Sequence, residues 1–233
     1  MKYAVILAGG RGTRLRPYTV TLPKPLVPVG DMPIVEIVIR KLAKARFDVA
    51  TLATNYMGEL IEAYFGTDRR WGLTVQYSLE TEPLGTIAPL RLIPDLPEHF
   101  LIMNADVLTD LDVGGFLHQH AQSGALFTIA ATPREQLLDY GVLAIDKGRL
   151  IGFREKPKVT QFVSMGIYGA SRRVLEFIPT RGAFGFDQLM HRLIDANERV
   201  DVIEHKGYWL DIGRPEDYEQ ATHAFEQNRD RFL

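Results

Sequence analysis

The chain has 233 residues, 46% hydrophobic and 24% charged, the balance of a soluble globular protein with a sizeable core. Its 27 basic residues nearly offset 29 acidic ones for a formal charge of −2, which argues against a nucleic-acid or acidic-membrane partner. Cysteine is absent, so disulfides, thiolate catalysis and Cys-type zinc sites are excluded. No segment approaches the roughly 20 apolar residues that span a bilayer. The apolar run from Met1 to Ala8 is too short for a signal peptide and lacks a small-residue cleavage site, so the default expectation is a cytoplasmic protein.

In chain order, Tyr3 to Ala8 predicts a buried parallel strand ending in glycines. Ile34, Ile37, Val38, Leu42 and Ala45 recur at helical period, with Pro33 suited to the first turn. A strand follows at Val49 to Thr54, a helix at Met57 to Phe65 and a strand at Thr74 to Ser78. Thr86 to Leu92 reads as a short helix and Phe100 to Met103 as a strand. The character shifts after Ser123. Ala125 to Ala131, Gly141 to Ile145, Leu150 to Phe153 and Phe162 to Tyr168 read as strands, the middle pair joined by a turn at Asp146-Lys147-Gly148-Arg149. A helix at Phe186 to Ala196, a strand at Val200 to His205 and a terminal helix at Pro215 to Gln227 complete the chain. Strands alternating with helices predict an α/β fold whose mixed, mainly parallel sheet is flanked by helices. With no internal repeat, low-complexity tract or linker, the expectation is one domain over 1–233. Its first half, to about 123, binds nucleotide, and its second half has mixed strand direction.

Directly after the first strand comes Ala8-Gly9-Gly10-Arg11-Gly12-Thr13-Arg14-Leu15-Arg16. Glycines there let backbone N–H groups approach a ligand and form a concave anion site. The arginines and Lys24 supply charge for phosphate oxygens. Pro23 and Pro25 flank Lys24 and hold its backbone stiff and extended. Taken alone, the loop is equally compatible with a tight strand-to-helix turn bearing solvated basic residues. A dinucleotide fingerprint is rejected because Leu15 stands where it needs Gly or Ala. A P-loop is rejected because the chain has no Gly-Lys pair.

Leu7-Ala8-Gly9-Gly10-x-Gly12-Thr13-Arg14-Leu15, followed by Pro23-Lys24-Pro25 and Pro28-Val29, resembles the signature of the nucleotide-sugar pyrophosphorylases, the sugar-1-phosphate nucleotidyltransferases. The resemblance implies a Rossmann-like, GT-A-like sheet and a magnesium-dependent transfer of a nucleoside monophosphate to a sugar 1-phosphate, with pyrophosphate released. It implies nucleotide binding by Leu7, Ala8, Gly9, Gly10, Gly12, Thr13, Arg14, Lys24 and Asn104, with Arg14, Lys24 and Asp106 catalytic.

Asp106 follows the strand Phe100-Leu101-Ile102-Met103, and open α/β sheets bind ligands at the carboxyl ends of their strands. Asp211 precedes the last helix. Either alone would read as a cap or turn residue. The resemblance makes them the two magnesium ligands, one or two carboxylates being that ion's usual protein share. Asp110 and Asp112 read as turn and helix-cap residues. The six histidines form no metal pattern and read as surface or satisfied core residues.

Phe153-Arg154-Glu155-Lys156-Pro157 and Tyr140-Gly141-Val142 also recur in the family. By resemblance Lys156 holds the sugar's phosphate, Glu155 accepts from sugar hydroxyls, and Gly141 and Ser164 contact the sugar. Two departures bear on this. Ala105 stands where the family often has glycine or serine, and Ser164 where it often has asparagine. A shorter side chain with one O–H weakens that sugar contact, so the sugar is left open.

Ser78 to Thr86 resembles the base-reading loop, with Gly85 offering backbone groups. Glu80 falls where thymidylyl- and uridylyltransferases often carry glutamine. An ionised carboxylate only accepts, and guanine presents adjacent N1–H and N2–H donors. Together with Glu82-Pro83-Leu84-Gly85-Thr86, this is closest in pattern to mannose- and heptose-1-phosphate guanylyltransferases. The expected donor is GTP, with UTP or dTTP and a hexose 1-phosphate as the alternative. A non-catalytic nucleotide-sugar-binding subunit on the same fold is the rival of a different class. The chain ends soon after the terminal helix, so an appended acyltransferase or regulatory domain is not expected. A homo-oligomer is left open.

Overall fold

The computed structural model describes residues 1–66 and 69–233. It opens with β1 (Tyr3–Leu7), whose residues are alternately claimed by two cores: Ala4 and Ile6 face one layer, Tyr3 and Val5 the other. Such a two-sided apolar strand belongs in a sheet covered on both faces. A small ribbon of β2 (Pro28–Val29) and β3 (Met32–Pro33) leads into α1 (Ile34–Lys44), which packs Val35, Val38, Ile39 and Leu42 on the first face. Then come β4 (Val49–Thr54), α2 (Gly58–Phe65), β5 (Thr74–Leu79) and β6 (His99–Asn104). The helix expected at Thr86 to Leu92 shortens to a 3-10 turn at Ala88–Leu92. The residues before it are diverted, since the N–H groups of Ile87 and Ala88 both donate to the Phe184 carbonyl.

After β7 (Val107–Thr109), α3 (Val113–Ser123) starts at Asp112, whose Oδ1 accepts from Gly114 N at 3.1 Å and Gly115 N at 3.0 Å. The strand β8 (Phe127–Leu137) runs six residues beyond the expected end at Ala131. Past Ala131 its single neighbour is β11, an edge position that tolerates Pro133. Next are β9 (Val142–Asp146), β10 (Arg149–Arg154) and β11 (Lys158–Ser171), which begins before the expected Phe162. The chain closes with α4 (Phe186–Asp195), β12 (Val200–Glu204), β13 (Trp209–Asp211), α5 (Pro215–Gln227) and α6 (Arg229–Phe232).

The central sheet has seven strands in the order β12-β8-β11-β6-β1-β4-β5. β5, β4, β1 and β6 run parallel, while β11 is antiparallel to both its neighbours. The expected α/β sheet, mixed and mainly parallel between helices, is therefore present. The chain runs outward from β1 to β4 and β5, then returns to the other side of β1 with β6. This reversal opens a crevice at the carboxyl ends of β1 and β6, where such sheets bind ligands. No helix among the described residues is long and apolar enough to cross a membrane.

Two further features stand outside the central sheet. β7 and β13 form a short antiparallel ribbon pairing Asp211 with Val107. Across the sheet, the outer parts of β8 and β11 continue through the β9–β10 hairpin as one projecting arm. Bonds from Leu138 N to Pro157 O and from Lys156 N to Tyr140 O join the two ladders.

Candidate active site

The carboxyl ends of β1, β4 and β6 surround a cleft of about 530 Å³. Every residue expected to bind nucleotide lines it: Leu7, Ala8, Gly9, Gly10, Gly12, Thr13, Arg14, Lys24, Glu80, Gly85 and Asn104, together with Asp106. The glycine loop is folded back onto the segment carrying Lys24. Thr19 Oγ1 donates to the Gly12 carbonyl at 2.8 Å, and Leu15 N donates to the same oxygen at 2.9 Å.

At the loop end of the cleft, Lys24 Nζ is ion-paired with Asp106 Oδ2. Asp106 Oδ1 is buried and has no hydrogen-bond partner among the described residues. Asp211 stands just behind the lining. A methyl group on Gly213 would lie 3.5 Å from Asp211 Oδ2 and 3.6 Å from Arg14 Nη2, so these two side chains bracket that residue. Burial, and then the charge of Asp106, push the Asp211 carboxyl above its usual range, against the pull of Lys24 and Arg14. No group of three or more His, Asp or Glu side chains that could hold a metal occurs among the described residues. The donor set still fits magnesium, whose shell substrate phosphates and water complete. An orphaned buried carboxylate oxygen beside a second carboxylate is a place for a cation.

Glu80 is 8% exposed, and its Oε2 accepts from Leu84 N at 3.1 Å. Burial raises its carboxyl above the ordinary value, partly opposed by that backbone bond. Its Oε1 approaches the loop so closely that a Cβ on Gly9 would sit 2.9 Å away. Gly85 has φ of 84°, and a Cβ there would meet the Phe184 carbonyl oxygen at 2.9 Å, so glycine is required twice over.

Gly141, Glu155, Lys156 and Ser164 do not line this cleft. They sit on the arm. Gly141 and Glu155 are adjacent, a Cβ on the glycine falling 3.4 Å from Glu155 Oε2. Lys156 Nζ is paired with Asp139 Oδ1 at 2.7 Å on an exposed surface. Ser164, at the arm's base, donates to the Tyr168 hydroxyl at 3.1 Å.

Sequence reasoning passed over Arg11, Asn55, Pro83, Thr86, Pro89 and Gly213, all of which line the cleft. Asn55 was within reach: it follows β4, a strand whose carboxyl end faces the same crevice. Its Nδ2 donates to the Glu80 carbonyl at 3.3 Å. Asp110 is more than a turn residue. Its Oδ1 accepts from His205 Nε2 at 2.7 Å and Tyr208 N at 2.8 Å, and its Oδ2 from Arg231 Nε at 2.7 Å.

The family model for nucleotidyl transferase matches residues 3–228. The chain belongs to the nucleotidyl transferase family. Among relatives of this nucleotidyl transferase is the mannose-1-phosphate guanylyltransferase catalytic subunit beta of Danio rerio, 37% identical over 224 residues and 92% of this chain. The UTP–glucose-1-phosphate uridylyltransferase of Synechocystis is 32% identical over 239 residues and 94% of this chain. The chain spans 62% of the length of each of these two curated relatives. Among solved structures, HddC from Yersinia pseudotuberculosis complexed with GMP-PN matches with a TM-score of 0.74 and 26% identity, over 97% of this chain and 100% of that one.

Proposed function

We propose that the protein transfers a nucleoside monophosphate from a triphosphate to a sugar 1-phosphate, releasing pyrophosphate, in a magnesium-dependent reaction. The observation that carries this reading is one cleft that gathers the glycine loop, Arg14, Lys24, Asp106 and a buried Glu80, with the charge of Asp211 felt alongside that of Asp106. A sugar phosphate oxygen attacks the α-phosphorus, the bond to the β-phosphate breaks, and pyrophosphate leaves with the electron pair. No protein nucleophile is needed. The obstacles are alignment and repulsion between two anions. Loop N–H groups and Arg14 cradle the triphosphate, and Lys24 exchanges Asp106 for phosphate oxygen when the substrate enters. Asp106 and Asp211 would hold magnesium, which would supply charge neutralisation at the reacting phosphates. Lys156 holds the sugar phosphate, while Glu155, Gly141 and Ser164 meet the sugar, which requires the arm to face the cleft.

For the base, GTP is the proposed donor, with a mannose- or heptose-type 1-phosphate as acceptor. Glu80 supports guanine as a buried acceptor held in place by Leu84, and the similarity to the Danio rerio protein points the same way. A uridylyltransferase is the second reading, favoured by the Synechocystis relative. A non-catalytic sugar-nucleotide sensor would have no need to gather Arg14, Lys24 and both aspartates at one cleft. Pyrophosphate release should be measured with GTP, UTP, dTTP, CTP and ATP against mannose, heptose and glucose 1-phosphates. The expected optimum is GTP with mannose or heptose 1-phosphate. A UTP or dTTP preference overturns the base assignment, and no release with any pair overturns the reaction class.

A further inference from the structure

We infer that Trp209 is a positioning residue for Asp211, an inference that rests on the metal reading proposed above. β13 is three residues long and pairs only with β7, and an isolated two-stranded ribbon has little rigidity of its own. The two carboxylates stand at its end by different means. Asp106 is anchored through the backbone, because Ala105 N donates to Leu7 O of the central sheet at 3.1 Å. Asp211 is joined to that anchor by Ile212 N donating to Asp106 O at 3.0 Å, a bond within the site itself. A direct tie from β13 to the sheet is made by Trp209, whose indole N–H donates to the Met165 carbonyl at 2.9 Å.

The carbonyl it reaches is unusual. Met165 lies in the register shift between Ser164 and Tyr168, paired in the ladder with neither β8 nor β6. The residue is fully buried, so removing the indole donor takes a hydrogen bond from a buried carbonyl at an irregular point of the ladder. The ring is itself gripped: the Arg134 guanidinium lies 5.2 Å from its centroid, and its inner side packs on the core. Side chains alternate along a strand, so Trp209 and Asp211 share one face of β13, with buried Leu210 on the other. Loss of the indole's tie to the sheet therefore loosens the short ribbon that carries the Asp211 carboxylate. A residue that orients a metal-binding carboxylate in this way changes metal affinity as well as turnover.

The test uses Mn²⁺ as probe, with free ion followed by electron paramagnetic resonance, on the full chain carrying Trp209→Phe, Arg134→Ala or Asp211→Asn. Trp209→Phe keeps a ring but loses the N–H. Its Mn²⁺ dissociation constant should rise about tenfold, and its lost turnover should return partly at high Mn²⁺. Arg134→Ala, at an exposed position, should raise the constant by about two- to threefold. That variant carries the test should Trp209→Phe fail to fold. Wild-type Mn²⁺ affinity in a folded Trp209→Phe, even with a lowered Tm, overturns the inference, as does unchanged affinity in Arg134→Ala should that variant have to carry the test. Wild-type affinity in Asp211→Asn instead overturns the metal reading beneath it.

Discussion

Asp106 and Asp211 are the side chains whose loss should be felt most in turnover. Asp106→Asn and Asp211→Asn keep shape and remove charge, and each should lower kcat by at least ~10²-fold, since metal polarisation contributes several kcal/mol to such transition states. Circular dichroism should show an intact fold. Full activity in either variant, or undiminished wild-type turnover in EDTA, would remove the metal assignment. Glu80 is tested through the choice of base. Its Oε2 already accepts from Leu84 N, so Glu80→Gln can keep that bond while presenting a donor to the cleft. GTP use should then fall by about 1–3 kcal/mol in kcat/KM, and the gap to UTP and dTTP should narrow. Equal losses with all triphosphates would mean that Glu80 supports the loop without reading the base.

The arm is an element whose local pairing was readable from residues but whose reach was not. The turn at Asp146-Lys147-Gly148-Arg149 is as expected, with positive φ at Lys147 and Gly148. The extension of β8 and β11 beyond the central sheet depends on where β12 stops, which no local pattern in β8 announces. If Lys156 on this arm serves the sugar phosphate, Lys156→Ala should raise the KM for sugar 1-phosphate and leave that for the triphosphate nearly unchanged. Lys24→Ala should act on the triphosphate or on kcat. Steady-state kinetics with each substrate varied in turn decides this, and matching effects of both variants on both substrates would refute the division. At α3 the cap expected at Asp112 is present. Asp112 caps two N–H groups, and Asp112→Ala should cost about 1 kcal/mol in urea unfolding, with activity retained.

For the molecule as a whole, the sheet's far side carries a pH dependence unrelated to the cleft. His120 is fully buried, with Nδ1 2.8 Å from Thr128 Oγ1 and its ring edge-on to His99 at 5.3 Å. Burial, and then the nearby His99, lower its pKa from 6.5 to about 4. The folded state keeps the ring neutral while the unfolded chain takes up a proton, so the stabilisation is complete above the unfolded value of 6.5 and fades as pH falls toward 4. Between about pH 7 and pH 5 this amounts to roughly 2 kcal/mol. Urea unfolding at the two pH values should show that loss in the wild type and a much smaller one in His120→Gln. An equal loss in both would place the pH dependence elsewhere.

The first half of the chain was written in the residues to a degree the arm was not. A strand running straight into glycines and an aspartate just past a strand are local signals, because strand ends are set within a few residues; the extended backbone expected at Lys24 between its prolines is instead a 3-10 turn over Lys24–Leu26, entered from an extended Pro23. Those signals placed every expected nucleotide-binding residue in one cleft. The sequence by itself thus determined the α/β class, the glycine loop that closes β1 and the buried faces of β1 and α1, all consequences of short-range pattern. Tertiary structure alone decided that Trp209 reaches Met165, that Asn55 supports Glu80, and that Asp110 joins His205 to Arg231. Each of these pairs is separated by 25 to 121 residues, and their meeting depends on strand order and on a register shift in β11. No periodicity encodes either, because a side chain's long-range partner is chosen by how the whole sheet packs.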